Sequence, residues 1–271
     1  MENVKQCSEG EIYRTFEKSA KEKGVKRLDE EFLRRFLIGH QYDIITSLKA
    51  VRNFESFVDR RRSRWLKLDR NNLEKILLDQ IVDVSDKNGL QGQKVVWIRL
   101  EKWDPQVFTA DELLEVSGLL CELVYAKSKE IECIDVIVDL HNFSLRHLYG
   151  LSPKFAKRMV FFISQCLPMR LSHVYVVRQP KIFHLVYSLF KPFIEEKTRN
   201  LITVCGYDYD VMFATIGPDI LPSEIGGTST DLVPSRWLKI LYNKRVQKES
   251  RFDCYFFEMT RPLLDGNPWQ M

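Results

Sequence analysis

Apolar side chains recur along this chain first at helical spacing and later as short continuous runs. Leu28, Phe32, Leu33, Phe36 and Leu37 fall on one helical face, with Asp29 placed to cap the start and Gly39 to end it. Ile44, Ile45, Leu48, Val51, Phe54, Phe57 and Val58 form the face of a second helix, and Leu73, Ile76, Leu77 and Ile81 that of a third segment. The opening stretch of about 25 residues, rich in Glu and Lys, reads as a further helix.

The period changes after Asn88-Gly89-Leu90-Gln91-Gly92, a turn-forming stretch. Val95–Leu100, Ile134–Asp139, Val174–Val177 and Leu201–Val204 are short β-rich runs. Helical stretches at Ala110–Ala126, Pro153–Cys166 and Ile182–Ile194 alternate with them. This alternation predicts an α/β fold with a mainly parallel sheet, flanked by helices and covered on both faces. The chain divides into an N-terminal helical module (1–85), the α/β domain (86–228) and a C-terminal extension (229–271) that packs on it. In the extension, Trp237, Leu238, Ile240, Leu241 and Tyr255-Phe256-Phe257 read as packing elements.

Composition narrows the class. A chain of 271 residues that is 45% hydrophobic and 29% charged is globular rather than disordered or fibrous. No apolar run approaches the ~18 residues of a membrane-spanning helix. The polar opening Met1–Gln6 lacks the apolar stretch of a signal peptide, so the expected location is the cytoplasm. Cys7, Cys121, Cys133, Cys166, Cys205 and Cys254 include no C-x-x-C pair, and neither a disulfide framework nor a metal site is expected.

The net charge of +4 conceals a segregation. Residues 149–205 carry nine Lys and Arg against only Glu195 and Glu196, while residues 81–148 have an acidic excess. A basic stretch is a solvated surface or a surface for phosphates, of anionic lipid or of nucleic acid. Arg60-Arg61-Arg62-Ser63-Arg64 reads as a solvated helix end, with partner, nucleic-acid or localisation roles as alternatives.

Catalytic signatures are missing. The chain has no G-x-x-x-x-G-K-[ST] loop, no G-x-G-x-x-G fingerprint and no G-x-S-x-G elbow. Asp139 ends a strand, His141 follows it, and the two form a candidate acid/base pair, but no third group or oxyanion donor accompanies them. Gly89-Leu90-Gln91-Gly92 has the spacing of an RNA-clamping loop, which a simple turn explains equally well.

The unusual chemistry is apolar. Positions 182, 183, 185, 186, 189, 190, 193 and 194 make a wide stripe, interrupted by Pro192 and followed by Glu195-Glu196-Lys197-Thr198-Arg199. Phe155, Met159, Phe162, Ile163 and Cys166 make a second face on the preceding helix. Two such faces are either ordinary packing, a membrane-touching element, or the walls of an apolar ligand cavity.

Four segments in order and spacing decide between these. They are Leu28–Leu37 followed by Tyr42-Asp43; Pro168-Met169-Arg170 leading to Gln179-Pro180-Lys181-Ile182-Phe183; Lys191-Pro192-Phe193-Ile194-Glu195-Glu196-Lys197; and Leu221-Pro222-Ser223-Glu224-Ile225-Gly226-Gly227-Thr228. Together they resemble the CRAL-TRIO lipid-binding family, in the branch of alpha-tocopherol transfer protein and cellular retinaldehyde-binding protein, over about residues 28–228.

The resemblance implies a hydrophobic pocket floored by the sheet and covered by a movable helical gate at roughly 178–201, in a non-enzymatic carrier of tocopherol-, retinoid- or phospholipid-like molecules. It implies ligand contacts from Phe143, Leu145, Phe155, Met159, Phe162, Ile163, Cys166, Val174, Val176, Phe183, Val186, Tyr187, Phe190, Phe193 and Ile194. It implies membrane or phosphoinositide docking by Arg170, Lys191, Lys197 and Arg199, transient association with anionic membrane, no nucleic-acid partner and no cofactor besides the bound ligand. A lipid-sensing adaptor without net transfer is the alternative. The chain departs from the family pattern at Ile38-Gly39-His40, at Ser172, at Ile225 and in the loop after Asp139.

Overall fold

The structure, a computed structural model, describes residues 8–65, 68–128, 130–229 and 236–242. Four helices come first: α1 (Glu9–Glu22), α2 (Glu30–Gly39), α3 (Ile44–Trp65) and α4 (Arg70–Leu78). Ser8 and Glu11 cap α1 reciprocally, and the Asp29 carboxylate accepts from the Phe32 backbone to start α2. Phe32, Phe36 and Phe54 meet at ring separations of 5.2 to 5.8 Å and hold α2 against α3.

The remaining elements are β1 (Val82–Val84), β2 (Lys94–Arg99), α5 (Ala110–Lys127), β3 (Cys133–Asp139), α6 (Leu145–Tyr149), α7 (Pro153–Phe161), β4 (Arg170–Val177), α8 (Phe183–Phe190), α9 (Glu196–Arg199), β5 (Ile202–Gly206), α10 (Asp210–Thr215) and α11 (Arg236–Leu241). The strands lie in the order β1-β2-β3-β4-β5. β1 runs antiparallel to β2, and every other pair is parallel.

Strand parity divides the two faces. Val82, Val84, Val96, Ile98, Ile134, Val136, Val138, Val174, Val176 and Ile202 point to the face where α5, α7 and α8 pack. Val95, Trp97, Ile137, Tyr175 and Val177 point to the other, against Met212, Ile216, Ile220, Leu221 and Ile225. Both faces are covered, as the alternation predicts. The cover is unequal: the crossover helices share one face, and the chain beyond β5 closes the other.

Three predicted helices are shorter than their apolar patterns. The third segment ends at Leu78, and Ile81 leads into β1. The Pro153 helix passes into a π turn at Phe162–Cys166. The helix from Ile182 breaks at Lys191–Phe193, a 3₁₀ turn holding Pro192, because proline lacks the N–H that would continue the ladder.

The helical module packs directly on the sheet domain. Phe57 lies 4.8 Å from Phe162, and Asn53 Nδ2 donates to the Gln165 carbonyl at 3.2 Å. Buried Arg35 donates to Glu122 at 3.0 Å, and Arg61 to Glu115 at 2.7 Å. Arg60 hydrogen-bonds to Ser56 one turn back, while the side chains of Arg62 and Arg64 lie outside the described residues, as do Tyr255, Phe256 and Phe257.

Candidate functional site

The even-numbered side chains of the sheet and the helices above them leave a gap in their packing. A cavity of about 250 Å³ separates the two layers. Its floor is Val96, Ile98, Ile134, Val136, Val138, Val174, Val176 and Ile202, with Val82 and Val84 at the β1 end. Leu113, Leu114, Ser117, Leu120 and Cys121 of α5 form one wall. Phe155, Met159, Val160 and the π-turn residues Phe162, Ile163 and Ser164 form another. Phe183, Val186, Tyr187 and Phe190 of α8, then Ile194 and Thr198, make the roof.

Of the residues implied as ligand contacts, Phe155, Met159, Phe162, Ile163, Val174, Val176, Phe183, Val186, Tyr187, Phe190 and Ile194 line this cavity. Four do not. Phe143 is buried in the layer outside it, stacked at 5.1 Å on the His147 ring. Leu145 opens α6 and is 48% exposed. Cys166 ends the π turn and is directed into the core shared with the helical module. Phe193 sits in the 3₁₀ turn after α8, where Pro192 has ended the helical register that would carry it inward.

The lining contributed by β1, β2 and α5 went unassigned at the sequence level. Strand parity was the available signal for Val96 and Ile98. α5 gives no such signal, because it is apolar on most sides and its cavity-facing positions do not stand out.

The roof is tied to α7 and to the π turn. Phe155 meets Phe190 edge-on at 6.4 Å, joining α7 to the end of α8. Arg199 Nε donates to the Ile194 carbonyl at 3.0 Å and steadies the bend into α9, and Gln165 Nε2 reaches Glu195 at 3.2 Å. Leu185, on the outer side of α8, is 40% exposed. Arg170, Lys191, Lys197 and Arg199 are all exposed, and Lys197 is paired with Glu195 at 3.0 Å.

The candidate acid/base pair is not assembled. Asp139 is fully buried, and its Oδ1 accepts from Arg178 Nε and from the His141 backbone, each at 3.0 Å. That bond to Asp139 raises the Arg178 pKa and favours its charged guanidinium. The His141 ring faces Glu101 instead, at 3.8 Å. Among the described residues no cluster of His, Cys, Asp and Glu has metal-binding geometry, and no helix is long and apolar enough to cross a membrane.

Comparison with known proteins fits this architecture. Human alpha-tocopherol transfer protein-like is 29% identical over 219 residues, covering 79% of this chain and 63% of that protein. Clavesin-1 of Xenopus laevis is 25% identical over 232 residues, covering 84% of the chain and 70% of the relative. The chain thus spans somewhat under two thirds of the length of the tocopherol-transfer-like relative. The crystal structure of Sfh5 superposes with a TM-score of 0.50 at 16% identity, covering 91% of this chain and all of that one, a likeness of fold. The model of the CRAL/TRIO domain matches residues 80–227, and on that match the chain belongs to the CRAL/TRIO domain family.

Proposed function

We propose that this protein binds a small hydrophobic molecule of the tocopherol, retinoid or phospholipid type and moves it between membranes without chemical conversion. The observation that carries the reading is the cavity itself: apolar side chains on every wall, a sheet for a floor, and a roof built from α8, a proline-broken turn and α9. Burying apolar surface is worth about 25 cal/mol per Å², so a ligand with ~300 Å² of such surface gains several kcal/mol relative to water. Leaving a bilayer offsets most of that gain, which keeps loading and release reversible.

Delivery needs the roof to open at a membrane. Leu185 on its outer side and exposed Lys191, Lys197 and Arg199 nearby suit contact with an anionic surface, each cation contributing about 1 kcal/mol there. Phosphoinositide headgroups are one candidate for that contact.

Movement of a fluorescent tocopherol between donor and acceptor vesicles tests the reading. The wild-type chain accelerates it, Val186→Asp abolishes binding and transfer, and Leu185→Glu slows transfer while leaving binding intact. Binding without acceleration would favour the lipid-sensing adaptor. A chain that binds none of the three lipid types has some other role.

A further inference from the structure

The two edges of the sheet are finished differently. At the β1 edge, bonds from Arg99 to Ile81 and from Ser85 to Val95 turn the Val84 carbonyl away from β2, and there the Arg236 guanidinium of α11 donates to it. At the other edge, β5 pairs with β4 alone. The Val174 N–H donates to the Leu201 carbonyl at 2.9 Å. Strand alternation therefore turns the backbone groups of Leu201 and Thr203 toward β4 and those of Ile202 and Val204 outward. Among the described residues no group outside the sheet hydrogen-bonds to the outward set.

Exposed edges are usually blunted by charge, by proline or by a bulge. Ile202-Thr203-Val204-Cys205-Gly206 has no charge and no proline, and its register irregularity falls past Val204. Val204, Tyr207 and Val211 beside it are exposed, Tyr207 by 72%. The charged residues nearest the two ends of the strand have opposite sign, Arg199 before it and Asp208 after it. Both are exposed, and neither is in an ion pair among the described residues. Arg199 spends its Nε on the Ile194 carbonyl, and the Asp208 carboxylate accepts from the Asp210 backbone at 3.2 Å.

We propose that β5 pairs antiparallel with β5 of a second copy of this chain, about a two-fold axis at Thr203. In that register Ile202 of each copy exchanges both backbone hydrogen bonds with Val204 of the other, and the two Thr203 side chains face each other at the non-hydrogen-bonded position. A strand with a cation before it and an anion after it is complementary to its own antiparallel copy. Arg199 of each copy comes beside Asp208 of the other, so symmetry supplies the charge pair at both ends. The pairing takes Arg199 out of membrane contact and leaves Lys191 and Lys197 to it. It is independent of what the cavity binds.

Sedimentation velocity of the full chain from about 1 to about 200 µM tests this. The wild-type chain dimerises within that range. Arg199→Asp and Asp208→Arg each weaken the association by at least about tenfold, because like charges then meet at both ends of the pair. An equimolar mixture of the two variants recovers a dimer, since each reversed charge then faces its opposite. In a Cys205→Ser background, Thr203→Cys gives a disulfide-linked dimer on mild oxidation, whereas Val204→Cys, offset from its own symmetry mate, links far less. A wild-type chain that stays monomeric throughout overturns the proposal and leaves the edge to a strand of another protein. A mixture that stays monomeric, or a dimer that both charge reversals leave intact, overturns it as well.

Discussion

Asp83 and Arg236 are 153 residues apart in sequence and meet at 2.6 Å, Oδ1 to Nη2, where both are buried. The same carboxylate oxygen accepts from Trp237 Nε1 at 2.6 Å and from the Val84 backbone at 2.8 Å. Asp83 lies in β1, between the cavity-lining Val82 and Val84, so the pair ties α11 to the wall of the cavity. Arg236→Ala would leave a buried carboxylate short of its cationic partner. Removing one member of such a pair typically costs 3–5 kcal/mol, and a loss of about 3 kcal/mol is expected in urea denaturation. A loss under about 1 kcal/mol would mean that α11 contributes little to holding β1.

Gly39 ends α2 against the loop before β4. A Cβ built there would lie 1.8 Å from the Pro168 carbonyl oxygen and 2.9 Å from the Met169 Cα, so α2 and the loop must separate to admit one. Both neighbours are backbone, which cannot rotate aside. Gly39→Ala is expected to destabilise by about 1–3 kcal/mol despite alanine's better helix propensity, and a second substitution at Pro168 should not restore it. An unchanged denaturation midpoint would show that the module and the sheet domain slide freely.

Much of this architecture was legible in the pattern of apolar residues, and the failures have physical reasons. Helix faces and parallel strands were found because burial enforces periods of 3.6 and 2. β1 was missed because three residues are too short to show a period. The roof residues of α8 could be read from their stripe, whereas Phe193 fell out of register once Pro192 broke the helix. The walls from α5 were invisible, since a helix apolar on most sides does not announce which side faces a void. Leu145 and Phe143 were assigned by resemblance in a loop that departs from the family pattern, and in this chain one is exposed and the other stacks on His147.

His147 supplies a pH dependence. Its Nδ1 accepts from the Ser144 backbone N–H at 3.0 Å, which requires that nitrogen to be unprotonated. Burial lowers its pKa, with Arg146 adding to the effect, and burial also lowers that of His40. Both groups therefore bind a proton more readily in the unfolded chain, whose histidines titrate near 6.5. Their contribution to stability is complete above about pH 6.5, is lost as pH falls from there through the folded-state values, and levels off below them. Denaturation midpoints should fall between pH 7.5 and pH 5.5. The fall should shrink in His147→Gln, where the amide oxygen still accepts from Ser144. A midpoint equal at the two pH values would contradict the burial argument.

Pro192 supplies the last prediction. It interrupts the ladder between α8 and α9, and the 3₁₀ turn it occupies sets the approach of Ile194, which is buried against the cavity. Pro192→Ala restores an N–H and a strong helix former to an exposed position, so α8 gains the means to run on through Phe193. A continuous helix would rotate Ile194 away from its place in the roof and stiffen the segment that must bend. Because the residue is exposed, folding stability should change by no more than about 1 kcal/mol. Ligand transfer between vesicles should nevertheless slow several-fold, and far-ultraviolet circular dichroism should show a small gain in helix. If helix content rises while transfer is unchanged, the bend at Pro192 plays no part in the opening of the roof.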